Sequence, residues 1–292
     1  MKCGADDGKT VVAGTLAAIQ IERIGLRRPN RLVFAQIKGT VRMRRMPETK
    51  VALITGAGRG IGREIAQRLA REGYACGLIA RTKSQLEETA DLIRHAGGTA
   101  LVAPTDVTRR DQVIEAVATV ERELGPIAVL INNAGAYLRK PLVETTEEDF
   151  DFQLKVNCFG PFFCTQAVVA GMADRGGGTI VFVLGSESRS GPLHYAAYNA
   201  SKVAQRAIAE SVAYEYMHRG VHAVALDVDG AVGLQRVTDA AHDEEEDHFV
   251  STEAICNELV HVIGQPRNAW TFALDLRSYW QWRPRVAAKK KV

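Results

Sequence analysis

Beyond residue 50 the chain alternates short apolar runs with longer stretches whose apolar residues return every three or four positions. The runs, at 51–55, 75–80, 100–103, 127–131, 179–184, 221–226 and 270–274, have the length of strands. Their successive positions are apolar, as in strands covered on both faces. The amphipathic stretches between them, at about 60–72, 83–96, 109–124, 147–173, 196–218 and 252–263, read as helices. Strands and helices in steady succession predict an α/β fold: one doubly wound, parallel, seven-stranded sheet with helices on both faces.

Residues 1–46 stand outside this rhythm. Segments 11–24 and 31–41 have strand-like composition but no readable pairing. Three accounts of this extension stay open: a start foreign to the natural protein, a basic targeting leader, and a small appended hairpin. Asp6 and Asp7 weigh against the leader, because such leaders are poor in acids. Met46-Pro47-Glu48-Thr49-Lys50 reads as the lead-in to the first sheet strand. The expected layout is therefore an extension at 1–46, a single domain at 47–280 and a basic, solvated tail at 281–292.

Composition adds limits. At 46% hydrophobic and 24% charged residues, the chain has enough apolar matter for a full core, and no run approaches ~20 uninterrupted apolar positions. Residues 1–45 carry ten Lys or Arg and three acids, a surplus of +7 that leaves −4 on the rest of the +3 chain. A nucleic-acid-binding body should be basic, and this one is not. Five scattered cysteines without a C-x-x-C pair suggest neither a disulfide framework nor a zinc knuckle, and point to a reducing, cytoplasmic setting.

The first strand runs into Gly56-Ala57-Gly58-Arg59-Gly60-Ile61-Gly62, and a helix follows. Between a strand and a helix, glycines let the backbone approach a pyrophosphate at the helix N-terminus. The same glycines could make a tight turn and nothing more. The spacing Thr55-Gly56-x-x-x-Gly60-x-Gly62 resembles the glycine motif of short-chain dehydrogenases/reductases. Asn132-Asn133-Ala134-Gly135 and Tyr198-Asn199-Ala200-Ser201-Lys202 resemble two further motifs of that family, in the same order. The resemblance covers about residues 49–275 and implies a Rossmann-type oxidoreductase that moves hydride between a nicotinamide cofactor and a carbonyl or alcohol. It implies nucleotide contacts at Thr55, Gly56, Gly58, Arg59, Gly60, Ile61, Gly62, Asp106, Val107, Asn133, Ala134, Gly135, Tyr198, Lys202, Gly230 and Val232.

Charge argues which nucleotide. A carboxylate after the second strand selects NAD through the ribose 2′-hydroxyl. Here Ala80 takes that place, Arg81 follows, and Arg59 adds a second cation, which favours NADP(H) because guanidinium matches phosphate oxygens.

Tyr198 and Lys202 are four residues apart on a predicted helix and share a face. A phenol of pKa ~10 needs roughly 4 kcal/mol to ionise near neutrality. One ammonium about 4 Å away, at an effective dielectric near 20, supplies about that much. The pair therefore predicts a general acid/base at Tyr198 and a helper at Lys202. By resemblance, a serine at the end of the fifth strand polarises the substrate oxygen. Ser186 is the best match and Ser188 the alternative, since the 12-residue interval from Ser186 to Tyr198 is one shorter than the family usually shows. Asn157 matches the family's helix asparagine, and Pro161 four residues later deprives its carbonyl of a helical partner.

Two departures are visible. The family's Pro-Gly-x-Val-x-Thr appears as Asp229-Gly230-Ala231-Val232-Gly233-Leu234, placing near the expected ring site a carboxylate that either favours the oxidised cofactor or points away. The expected substrate lid, about 231–252, carries the run His242-Asp243-Glu244-Glu245-Glu246-Asp247-His248, which is either a solvated face or a deterrent to anionic substrates. The expected partners are a small carbonyl or alcohol and further copies of the chain, a dimer or tetramer, with no metal, nucleic acid or membrane. The rival expectation is an idle NADP-binding redox sensor or scaffold.

Overall fold

The computed structural model describes residues 33–37, 40–44, 50–191, 193–229 and 250–278. The chain divides into two units, Met1–Glu48 and Thr49–Val292. In the first, β1 (Val33–Ile37) and β2 (Thr40–Arg44) pair antiparallel, Val33 opposite Arg44 and Ile37 opposite Thr40. This pairing accords with the appended hairpin and leaves the other two accounts standing. Segment 11–24 lies outside the described residues.

The second unit is the doubly wound sheet. Its strands are β3 (Val51–Thr55), β4 (Ala75–Ala80), β5 (Thr99–Pro104), β6 (Ile127–Asn132), β7 (Gly178–Leu184), β8 (Val221–Asp229) and β9 (Ala273–Arg277). They lie in the order β5-β4-β3-β6-β7-β8-β9, and every neighbouring pair is parallel. The helices are α1 (Gly60–Arg71), α2 (Lys83–His95), α3 (Arg110–Leu124), α4 (Glu147–Leu154), α5 (Gly160–Asp174), α6 (Ala196–Tyr216) and α7 (Thr252–Ile263).

Burial on both faces explains the continuous apolar runs. One core gathers Leu53, Phe182 and Ala225 against Val117 of α3, Val168 of α5 and Val212 of α6. The other gathers Ile54, Leu78 and Val224 against Ile65 of α1, Ala90 of α2 and Leu259 of α7. Winding runs outward in opposite directions from the β3–β6 pair, so the C-terminal ends of these strands border a crevice.

Helices α4 and α5 form one 28-residue helix, Glu147–Asp174, long and apolar enough to cross a membrane; here it is a core helix with 56% of its most apolar window buried. It is interrupted by a π turn, Lys155–Phe159. Pro161 follows this turn at the start of α5, inside the continuous helix, where it has no N–H to offer the carbonyl of Asn157. The irregularity expected from Pro161 therefore takes the form of one widened turn, a feature frequent at functional sites.

The last strand differs from expectation. The apolar run at 270–274 predicted a strand there, but pairing starts at Ala273. Trp270 instead stacks on His222, ring centroids 4.7 Å apart.

Candidate active site

The crevice at the β3–β6 boundary is built from its glycines upward. Gly56 has φ +67, a left-handed conformation that glycine adopts without strain, and its N–H and that of Ala57 donate to the Ile79 carbonyl at 2.8 and 3.3 Å. A Cβ at Gly62 would overlap the Gly56 carbonyl and the Asn133 side chain, so no other residue fits that helix turn. The start of α1 has no side-chain cap and no acid in its first turn, which leaves its N–H groups and positive end open to an anion. Gly58 lies in the same turn, and Gly60 and Ile61 open α1.

Thr55 ties the cradle to the next strand. Its buried hydroxyl accepts the backbone N–H groups of Asn133 and Ala134 at 2.9 and 2.8 Å, while the Asn133 amide donates to the Thr55 carbonyl at 3.0 Å. Gly135 continues the edge, exposed, with Lys202 Nζ and Asn157 Oδ1 near its open side. Arg59 and Arg81 are exposed and have no ion pair among the described residues. Arg63, by contrast, is spent on the Gly58 carbonyl, Thr89 and Glu88. A dinucleotide with a 2′-phosphate fits these donors: a bare helix start, a glycine cradle and two uncommitted guanidinium groups. Asp106 closes a turn onto Thr108, and Val107 is buried against Gly160. Gly230, Val232 and the lid at about 231–252 lie outside the described residues, apart from 250–252.

Across the crevice, the long α6 carries Tyr198 and Lys202. Lys202 is 5% exposed; its ammonium lies 5.8 Å from the Tyr198 ring centre and donates to Val183 O and Gln205 Oε1, both at 3.1 Å. Burial pushes Lys202 down to about 8, against the opposing pull of Glu187 and Asp227. For the phenol, burial and then the charge of Glu187 win, and Tyr198 is held well above the ordinary tyrosine range, with smaller effects from Tyr137 and Tyr195. The acidification expected from Lys202 is absent in this state, because the ammonium is turned to other acceptors and the phenol is buried.

Asn157, in the π turn, is fully buried. Its Oδ1 accepts the Ala136 N–H at 2.8 Å; its Nδ2 donates to Ala136 O at 2.8 Å, to Gln153 Oε1 at 3.1 Å and to Ser201 Oγ at 2.9 Å. Ser201 in turn donates to the Tyr198 carbonyl at 2.7 Å, so one amide joins the β6 loop to α6.

The two candidate serines separate. Ser188 is buried and donates to Asp227, whereas Ser186 is half-buried and its hydroxyl makes no hydrogen bond among the described residues. Asp227 is 1% exposed and held by Arg206 at 2.9 Å and Arg189 at 3.5 Å; burial still raises its carboxyl above the usual range, against those bonds. Asp229, expected near the ring, pairs with Arg277 at 2.8 Å.

Three neighbours were not legible from spacing. Tyr137 and Tyr195 pack on Tyr198 with centroids 5.3 and 6.1 Å away, giving the pocket an aromatic wall. Glu187 is the third, lying between the two candidate serines. Counting back the family's 13 residues from Tyr198 arrives at Gly185, a signal that this turn is unusual.

The chain belongs to the short-chain dehydrogenase family: residues 50–237 match the family described as short chain dehydrogenase. Gluconate 5-dehydrogenase of Gluconobacter oxydans is 38% identical over 170 residues, covering 58% of this chain and 66% of the relative, just under two thirds of its length. An alcohol dehydrogenase from the archaeon Thermococcus sibiricus, solved with 5-hydroxy-NADP, superimposes with a TM-score of 0.72 at 29% identity, covering 81% of this chain and 99% of that one. A gluconate 5-dehydrogenase from Burkholderia cenocepacia, solved with NADP and tartrate, gives 0.72 at 26% identity, covering 80% and 96%.

Proposed function

We propose that this protein is an NADP(H)-dependent oxidoreductase that interconverts a carbonyl compound and a secondary alcohol, with Tyr198 as the proton-exchanging group. The observation that carries this is the convergence of Tyr198, Lys202, Asn157 and Gly135 on one crevice that also contains the glycine cradle. NADP(H), when bound, supplies or takes the hydride. Thr55, Gly56, Gly58, Gly60, Ile61 and Gly62 would hold its pyrophosphate side; Arg59 and Arg81 would hold the 2′-phosphate; Asp106 and Val107 would flank the adenine. Asn133, Ala134, Gly135, Gly230 and Val232 would line the rest.

Tyr198 gives its proton to the substrate oxygen in reduction and takes it back in oxidation. A phenol held above its ordinary range keeps its proton near neutral pH, the form from which it gives a proton in reduction. Ser186 offers its uncommitted hydroxyl to the same oxygen. Lys202 stands behind Tyr198 as the cation that steadies the developing phenolate, and Asn157 fixes the loop and helix that frame it.

The exposed Phe152, Phe159 and Phe162 of the α4–α5 helix and Val203 and Tyr214 of α6 support a homodimer or homotetramer through these helices. Sedimentation as a monomer at micromolar concentration would count against it. The four cysteines among the described residues are unpaired, which supports a cytoplasmic site; cell fractionation checks it.

The experiment is NADPH oxidation with a panel of aldehydes, ketones and quinones, run beside Tyr198→Phe. Turnover by the natural chain and a loss of at least about a hundredfold in the variant are expected. Tight NADPH binding without turnover of any carbonyl would replace this reading with the idle nucleotide-binding protein.

A further inference from the structure

The turn after β7 holds a carboxylate next to Tyr198. A Cβ added to Gly185 would stand 3.6 Å from the Tyr198 hydroxyl oxygen, so position 185 faces the proton-exchanging atom. The same Cβ would stand 2.5 Å from Glu187 Oε2, nearer than unbonded atoms approach. The Glu187 carboxylate therefore fills the space that a side chain at 185 would need. Glycine there is the condition for this arrangement.

The backbone that carries Glu187 is held in place. The Ser188 N–H donates to the Gly185 carbonyl at 2.8 Å, the Ser188 hydroxyl is bound by Asp227, and the Asn199 amide donates to the Glu187 carbonyl. The carboxylate itself is half-buried and makes no ion pair or side-chain hydrogen bond among the described residues. Its charge nevertheless raises the pKa of Tyr198, Tyr137 and Lys202, the groups that surround the reacting position.

An ionised carboxylate only accepts hydrogen bonds, and it repels a developing alkoxide. Its partner in a bound substrate is therefore a donor beside the reacting oxygen, not that oxygen itself. Building on the oxidoreductase reading, we propose that Glu187 is a specificity-determining residue that accepts a hydrogen bond from a hydroxyl or ammonium on the carbon next to the reacting one. The substrate class is then α-hydroxy or α-amino carbonyl compounds and the matching vicinal diols or amino alcohols; a carboxylate at that neighbouring carbon is turned away. In reduction, the carbonyl carbon would take hydride from the reduced nicotinamide and its oxygen the Tyr198 proton, giving the diol or amino alcohol, the oxidised nicotinamide and a phenolate that regains its proton from water.

The test compares kcat/KM for 3-hydroxybutan-2-one, butan-2-one and pyruvate with NADPH, in the natural enzyme and in Glu187→Ala and Glu187→Gln. Without a donor on the substrate the carboxylate stays unpaired, so a preference of about tenfold to a hundredfold for the hydroxyketone over the plain ketone is expected. Pyruvate should be the poorest. Glu187→Ala should collapse the hydroxyketone preference, chiefly through KM, and narrow the gap to pyruvate. Glu187→Gln keeps an acceptor without the charge, so it should admit pyruvate while retaining part of the preference. Tyrosine absorbance titration, with Tyr198→Phe subtracted, should show residue 198 ionising at lower pH in Glu187→Gln. Equal turnover of the two ketones by the natural enzyme, or a ratio unmoved in Glu187→Ala, overturns the proposal and leaves the oxidoreductase reading standing. If no carbonyl is reduced at all, both fall together.

Discussion

Lys202 offers a test in which stability and function pull apart. Its ammonium is buried on α6 and pushed from 10.5 down to about 8, chiefly by loss of water. A base whose folded pKa is depressed binds fewer protons in the folded chain than in the unfolded chain between those two values. Stability therefore rises with pH across that window and is lost as pH falls through about 8. The shift corresponds to about 3 kcal/mol. Lys202→Met removes the titrating group, along with hydrogen bonds to Val183 O and Gln205 Oε1 whose loss costs about 1–3 kcal/mol at any pH. The pH-dependent part survives that offset. Thermal unfolding midpoints of both proteins, measured without nucleotide from pH 7 to 11, should diverge in favour of the natural chain as pH rises. The change in their difference should total on the order of 6–10 °C for a domain of this size. Carbonyl reduction should be lost in the variant throughout. A midpoint difference that stays constant with pH would refute the claim that folding desolvates this ammonium.

Three further outcomes follow from particular contacts. Gly62→Ala drives a methyl into the Gly56 carbonyl, so it should destabilise the fold by about 1–3 kcal/mol and weaken NADPH binding more than tenfold, checked by denaturant melts and nucleotide fluorescence. Arg59→Ala and Arg81→Ala should each weaken NADPH binding by about fivefold to tenfold and leave NADH nearly unaffected, with the difference shrinking in high salt; equal losses for both nucleotides would contradict the assignment. Arg206→Met strips the nearest cation from Asp227, buried at 1% exposure, and should cost about 3 kcal/mol in urea unfolding at pH 7, less if Arg189 moves closer.

How much of this was legible depends on whether the signal is local. The seven strands and their flanking helices follow from apolar periodicity, because covering both sheet faces leaves a mark on every residue of β3 or β8. The phosphate cradle is equally local, a run of glycines whose conformations are set within seven residues. Register at the edge was not legible. Pairing of β9 is settled by Arg277 on Asp229 and Arg189 on Asp275, ion pairs between segments distant in sequence, and this frees Trp270 to stack on His222. Glu187 escaped for the same reason. Its position beside Tyr198 arises from a missing side chain at Gly185, and an absence two residues away leaves no periodic trace. The protonation of Tyr198 also escaped, since helical spacing places Lys202 on the correct face without saying which acceptors its ammonium will choose.

The π turn at Lys155–Phe159 joins two properties that would otherwise vary independently. One residue inserted into an α-helix advances the azimuth of everything after it by about 100°. The widened turn that swings the Asn157 amide inward to Ala136 and Ser201 thereby also decides that Phe159 and Phe162 look outward. A one-residue deletion here would misdirect the amide and rotate the outer aromatic stripe in the same event. In the homo-oligomer proposed above, the hold of Asn157 on the β6 loop and the face offered to a second copy would both depend on a single slip of helical phase, so losing one should entail losing the other.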